Sequence, residues 1–138
     1  MTIAGPRLAP RRRTSLAARR GIAVGLVSAL ALAGSLAAGK LTDSTYTTIA
    51  AHEFDMVTPE NEMKIDATEP RLGHFNFTIG DKVYDWATKH GKRVHGNTLA
   101  WHSAMPAYTA GMNAATLRKW MIDHITGVMT HDKGKIYS

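Results

Sequence analysis

"FDMVTPENEMK", residues 54–64, is the stretch on which the fold turns. Asp55-Met56-Val57-Thr58 reads as a short strand, Pro59 closes it, and a loop rich in carboxylates follows at once. Before it, residues 45–53 carry Tyr46, Ile49 and Ala50 at helical spacing, with Thr42 or Ser44 as the cap. After it, a loop over about 63–78 is punctuated by Pro70 and Gly73. The order helix, strand, polar loop is the signature to look for in the remainder of the chain.

It recurs. Residues 80–90 place Val83, Tyr84, Trp86 and Ala87 along one side of a helix, and Gly91 suits the position after its C-terminus. Residues 92–99 alternate as a strand and enter a second polar and aromatic loop, "AWHSAMPAYTAG". Asn113 caps a long helix over 114–130 whose stripe is Leu117, Met121, Ile125, Val128 and Met129. Gly134 ends it, and Lys135-Ile136-Tyr137 opens a further strand. Alternation of this kind predicts an α/β fold with a parallel sheet. Sites in such folds gather at the carboxyl ends of strands, so the loops after residues 58 and 99 are expected on one face.

Charge is distributed unevenly. The 138 residues carry a formal net charge of +6, but Arg7, Arg11, Arg12, Arg13, Arg19 and Arg20 supply six of the 17 basic residues. From Lys40 onward there are 11 basic and 11 acidic residues, which balance. The foldable part is therefore formally neutral, and no nucleic-acid partner is expected. The arginine-rich start followed by the uncharged run "GIAVGLVSALALAGSLAA", residues 21–38, reads as a secretory signal over residues 1–38. The small-residue pairs Ala31/Ala33 and Ser35/Ala37 offer cleavage sites, and "RRTSL" is loosely like a twin-arginine signal. A retained membrane anchor is the competing reading, at the lower edge of a spanning length. With cleavage, a secreted, extracellular protein with no stable membrane association follows. Cysteine is absent, so an exported chain has to be held by a packed core.

Glu60, Glu62, Asp66 and Glu69 form an acidic run, and paired carboxylates suit acid-base and glycosidic chemistry. On an extended segment Glu60 and Glu62 point to opposite sides, so at most one faces a site. Glu60, Asn61 and Lys64 together offer an acceptor, a mixed donor and acceptor, and a cation, a set that matches vicinal sugar hydroxyls. Their bland alternative is a solvated loop with an incidental ion pair. Trp101-His102 adds an aromatic plate and a titratable ring, although the spacing alone also allows Trp101 a core position. The seven histidines are scattered, and no H-E-x-x-H motif is present, so neither metal nor cofactor is expected; His124 and His131 share a helix face without a third ligand. Ser103 lacks a nucleophile elbow, and no glycine-rich phosphate loop occurs. A hydroxyl-rich substrate survives this elimination.

At this point the chain resembles a particular family. "AAGKLTDSTYTTIAAHEFDMVTPENEMKIDATEPRLGHFNFT", "NTLAWHSAMPAY" and "MIDHITGVMTHDKGKIYS" resemble the N-terminal part of glycoside hydrolase family 10, the endo-1,4-β-xylanases. The likeness runs from about residue 37 to 138 and so covers 39–138 as part of a catalytic domain. It implies a (β/α)8 TIM barrel, of which this chain supplies about the first three to four β/α units. It also implies retaining cleavage of xylan by two glutamates, with carboxyl groups about 5 to 5.5 Å apart. Glu60, Asn61 and Lys64 match residues that bind xylose hydroxyls, and Trp101 and His102 match a pair near the reacting sugar. Xylan or xylo-oligosaccharides are the implied partners.

Departures from the family pattern matter too. Asn97 stands where a histidine usually contacts the reacting sugar, Ala104 where glutamine is common, and Asp132 where tyrosine is usual. The family's first strand is expected to be missing ahead of Lys40. Its acid/base glutamate follows a segment that would begin after "KGKIYS", so no catalytic residue is assigned here. The expectation is a chain that is poorly folded in isolation and inactive on xylan, with a noncatalytic secreted sugar-binding remnant as the rival reading.

Overall fold

The computed structural model describes residues 32–138. Three parallel strands, β1 (Ala33–Leu36), β2 (Met56–Pro59) and β3 (Arg93–Val94), lie side by side in chain order. Each connection is helical: α1 (Ser44–Glu53) joins β1 to β2, and a short α2 (Ile65–Thr68) with α3 (Thr78–Lys89) joins β2 to β3. Beyond β3 come two single 3-10 turns and the long α4 (Ala114–His131). This is the expected βαβ alternation, and it forms part of a (β/α)8 barrel.

The first strand is where the structure departs most from the expectation. A strand ahead of Lys40 is present after all, built from Ala33–Leu36 at the end of the apolar run. It pairs in parallel with β2, Gly34 against Val57 and Leu36 against Pro59. The run looked strand-free because alanine, glycine and serine carry little β propensity; pairing to a neighbour overrides that preference. Most of the leader expected over 1–38 lies outside the described residues, but its last seven, 32–38, are these.

Leu36, Val57 and Val94 project from one side of the three strands and meet Val83 and Ala87, one turn apart on α3, together with Ala50 of α1. Tyr46, Trp86 and Ile136 pack around that core. Gly34 allows close approach: a Cβ there would lie 2.8 Å from the Phe54 ring. Asp43, rather than the expected Thr42 or Ser44, caps α1, because its carboxylate accepts from both Thr45 N and Tyr46 N. Asn113 caps α4 as expected, accepting from Thr116 N at 2.9 Å.

Strand β3 is shorter than the alternation over 92–99 predicted. Past Val94 the chain leaves regular pairing, yet Tyr137 N donates to Val94 O at 2.7 Å and Gly96 N to Ser138 O at 2.8 Å. Tyr137 and Ser138 thus lie beside the end of β3, but no strand forms at the expected residues 135–137, since Lys135 is held in a turn by its amide bond to Asp132 O. On α4 the buried positions are Trp120, His124 and Val128, four apart, while Met129 is exposed. The apolar stripe was read from aliphatic residues, but the helix buries its ring systems.

Those rings have partners in the "FNF" segment. Phe75 and Phe77, two apart on extended chain, share a side, as do His124 and His131, seven apart on a helix. Phe75 stacks on His124 with centroids 5.9 Å apart, and Phe77 on His131 at 3.9 Å. Gly127 lies between the two histidines and leaves room for the Phe75 ring, which would stand 2.4 Å from a Cβ at that position.

Candidate functional site

The loops that follow β2 and β3 meet on one face, at the carboxyl ends of the strands. Extended backbone runs through Pro59 into Glu60, whose amide donates to Leu36 O at 3.2 Å, so β1 supports the exit of β2. A turn follows in which Lys64 N donates to Asn61 O, bringing the Lys64 side chain back over Asn61. Lys64 Nζ donates to Asn61 Oδ1 at 2.7 Å. The same ammonium lies 4.6 Å from the centroid of the Trp101 ring, which links the two loops by a cation–π contact.

Trp101 is 40% exposed, so it is a surface plate rather than a core residue. Its ring, Lys64, Asn97, Thr98 and Ala100 line an open recess of about 230 Å³. Asn97 is half-buried in the wall, and the Asn97–Thr98 peptide bond is cis. His102 is exposed and stands edge-on to Trp101, with centroids 6.1 Å apart. Glu60 is exposed at the same strand end but does not line the recess. Of the six predicted site residues, Asn61, Lys64, Asn97 and Trp101 are therefore gathered in one arrangement, with Glu60 and His102 at its margins.

The acidic run disperses. Glu62 points away from Glu60 and works as a brace: Oε1 accepts from Ala38 N at 2.7 Å and Oε2 from Asn61 N at 2.9 Å. It ties the end of β1 to the loop after β2, a role hinted at in the sequence only by its two-residue offset from Glu60. Asp66 is exposed, and Glu69 is buried against His124 Nδ1 at 2.7 Å. Among the described residues no carboxylate lines the recess. His131 is bonded to Asp81 at 2.8 Å, and among the described residues no three histidine, aspartate or glutamate side chains converge as metal ligands.

Asp132 borders a second, mainly apolar recess of about 230 Å³ with Met63, Leu99, Val128, Met129 and Ile136. Burial raises its carboxyl above the ordinary value of 3.8, only partly offset by the charges of His131 and Lys135, with nearby Asp81 adding to the rise. Asp81 goes the other way. Burial alone would raise it, but hydrogen bonds from His131 and Lys135 and their charges outweigh that and lower it. The consequences for stability have opposite sign. A raised acid holds its proton more tightly in the folded chain, so Asp132 subtracts stability as pH climbs from 3.8 through its folded value. Asp81 adds stability above 3.8, and that is lost as pH falls through its lowered value. Asp132→Asn is accordingly expected to stabilise the chain at pH 7 and to change little at pH 3. Urea midpoints at the two pH values check this; equal gains at both would contradict it.

The comparisons with known proteins agree with this geometry. The family model for "Glycosyl hydrolase family 10" matches residues 23–138. The chain is 45% identical over 85 residues to endo-1,4-beta-xylanase B of Humicola insolens, covering 60% of this chain and 24% of that protein. It is 35% identical over 104 residues to endo-1,4-beta-xylanase A of Phanerodontia chrysosporium, covering 72% and 26%. Among solved structures, xylanase 10B from Thermotoga petrophila RKU-1 in complex with xylobiose superposes with a TM-score of 0.70 at 34% identity, over 75% of this chain and 34% of that one. The chain spans about a quarter of the length of the curated relatives it matches. With three parallel strands in chain order, polar loops on their carboxyl face and a family match over most of its length, the chain belongs to glycosyl hydrolase family 10.

Proposed function

We propose that this chain is the sugar-gripping part of a secreted endo-1,4-β-xylanase, engaging xylan or xylo-oligosaccharides through Glu60, Asn61, Lys64, Asn97, Trp101 and His102. The observation that carries the reading is the meeting of Lys64 with both Asn61 and the Trp101 ring across two strand-end loops. That arrangement sets an aromatic face beside a cation and an amide. An apolar sugar face can lie on the indole while Lys64 and Asn61 serve hydroxyls at its edge. The names of the relatives, all endo-1,4-beta-xylanases, and the xylobiose in one structural neighbour support the same substrate class.

In this reading the family's retaining hydrolysis uses two glutamates that are not among Glu60, Glu62 and Glu69, whose positions serve binding, bracing and core. Asn97 provides a neutral donor and acceptor, so it orients a hydroxyl without supplying charge to a transition state. The chain by itself is expected to bind and not to cleave.

Titration of the 138-residue protein with xylotetraose, followed by chemical shifts of the indole N–H signals, tests the proposal. Saturable binding that weakens about tenfold in Trp101→Ala, equivalent to about 1.4 kcal/mol, is the expected result. Absence of binding in a chain with dispersed, folded spectra would refute the sugar-gripping role. Release of reducing ends from xylan would refute the division between binding and cleavage.

A further inference from the structure

Residues 32–36 belong at once to the apolar run that reads as a leader and to the first strand of the fold, whose last residue reaches the core. Leu36 is fully buried. Leu32 O accepts from Asp55 N at 2.8 Å and from Met56 N at 3.2 Å, so the parallel ladder starts at residue 32. Leu32 N donates to Asp55 Oδ2 at 3.2 Å. At the other end of β1, Ala37 N donates to Tyr46 OH at 3.0 Å, and Ala38 N and Leu36 O hold Glu62 and the Glu60 amide. Cleavage after Ala37 would delete the strand and the supports of the sugar-binding loop. Cleavage after Ala33 would remove the start of the ladder.

We propose that the leader is cut between Ala31 and Leu32 and that Ala33–Leu36 remain in the mature protein as its first strand. The inference rests on the export reading given above. Ala29-Leu30-Ala31 is an A-x-A site, and cutting there leaves an apolar region of residues 21–31, within the 7–15 residues usual for such a region, whereas 21–38 exceeds it. The new terminus also suits the structure. The Leu32 nitrogen that donates to Asp55 as an amide becomes an ammonium beside the same carboxylate, so the cut replaces a hydrogen bond with a charge-assisted one.

The whole 138-residue chain is expressed in an exporting bacterial host, and the intact mass of the released protein is read. The expected product is residues 32–138. Ala31→Phe, which spoils the residue before the cut, is expected to block processing and accumulate precursor, while Ala37→Phe leaves the terminus at Leu32. A mature start at Gly34 or Ala38 overturns the proposal while leaving export intact. A full-length chain, in the cytoplasm or in the membrane, overturns the export reading itself and the proposal with it.

Discussion

Glu69→Ala is expected to destabilise the fold by about 3–5 kcal/mol, the range for removing one member of a buried charged or polar pair. The glutamate is 2% exposed and serves three segments. Its Oε2 meets His124 Nδ1 of α4 at 2.7 Å, its Oε1 accepts from Gly73 N at 2.7 Å, and its backbone oxygen accepts from Tyr108 OH at 2.9 Å. His124 Nε2 and the neighbouring Trp120 Nε1 have no hydrogen-bond partner among the described residues. Truncating Glu69 therefore leaves the buried imidazole with no bonded nitrogen and removes the acceptor of the Gly73 amide. Such a loss is a large part of a typical total stability of about 5–15 kcal/mol. Glu69→Gln keeps an acceptor for one of these donors and is expected to cost about 1–2 kcal/mol. The pair is tested as a unit by Glu69→Met with His124→Leu, which fills the space with apolar atoms and removes both polar groups. Urea unfolding should place the double variant well above Glu69→Ala; equal midpoints would show that the pairing is not what the fold depends on.

Leu36→Ala is the second large effect, with an expected loss of about 2–5 kcal/mol. The side chain is fully buried in the core cluster with Ala50, Val57, Val83, Ala87 and Val94, so its removal leaves a cavity there. Because Leu36 O also holds the Glu60 amide, weakening β1 is expected to loosen the loop after β2. The readouts are a lower urea midpoint with unchanged slope and a weaker response of Trp101 to xylotetraose. A midpoint shift below about 0.5 kcal/mol equivalent would mean that β1 is not a working part of the core.

The candidate site was more legible than the core beneath it. Asn61, Lys64 and Trp101 could be picked out because each follows a strand that is recognisable locally, and chemistry after a strand in a parallel sheet falls on one known face. Glu62 and Glu69 could not be sorted from Glu60 in the same way. All four acidic residues of that run look alike in one dimension, and their partners lie far along the chain: Ala38 for Glu62, His124 for Glu69. The burial of His124 was likewise hidden, because a histidine on a helix is read as polar until a carboxylate and a phenylalanine are found against it.

Local chemistry in the sequence by itself determined the alternation of helix and strand, the caps at Asn113 and Gly91, and the family. These depend on neighbours a few residues apart, where backbone preference and side-chain periodicity act directly. Only the tertiary structure decided that Ala33–Leu36 is a strand. A run of alanine, glycine, serine and leucine is equally suited to a leader's apolar region, and nothing within four residues separates the two. The choice is made by hydrogen bonds to a strand 23 residues further on and by the burial of one leucine in the shared core. Those terms exist only once the chain has folded back on itself, which is why the same residues read as a leader in one dimension and stand as the first strand in three.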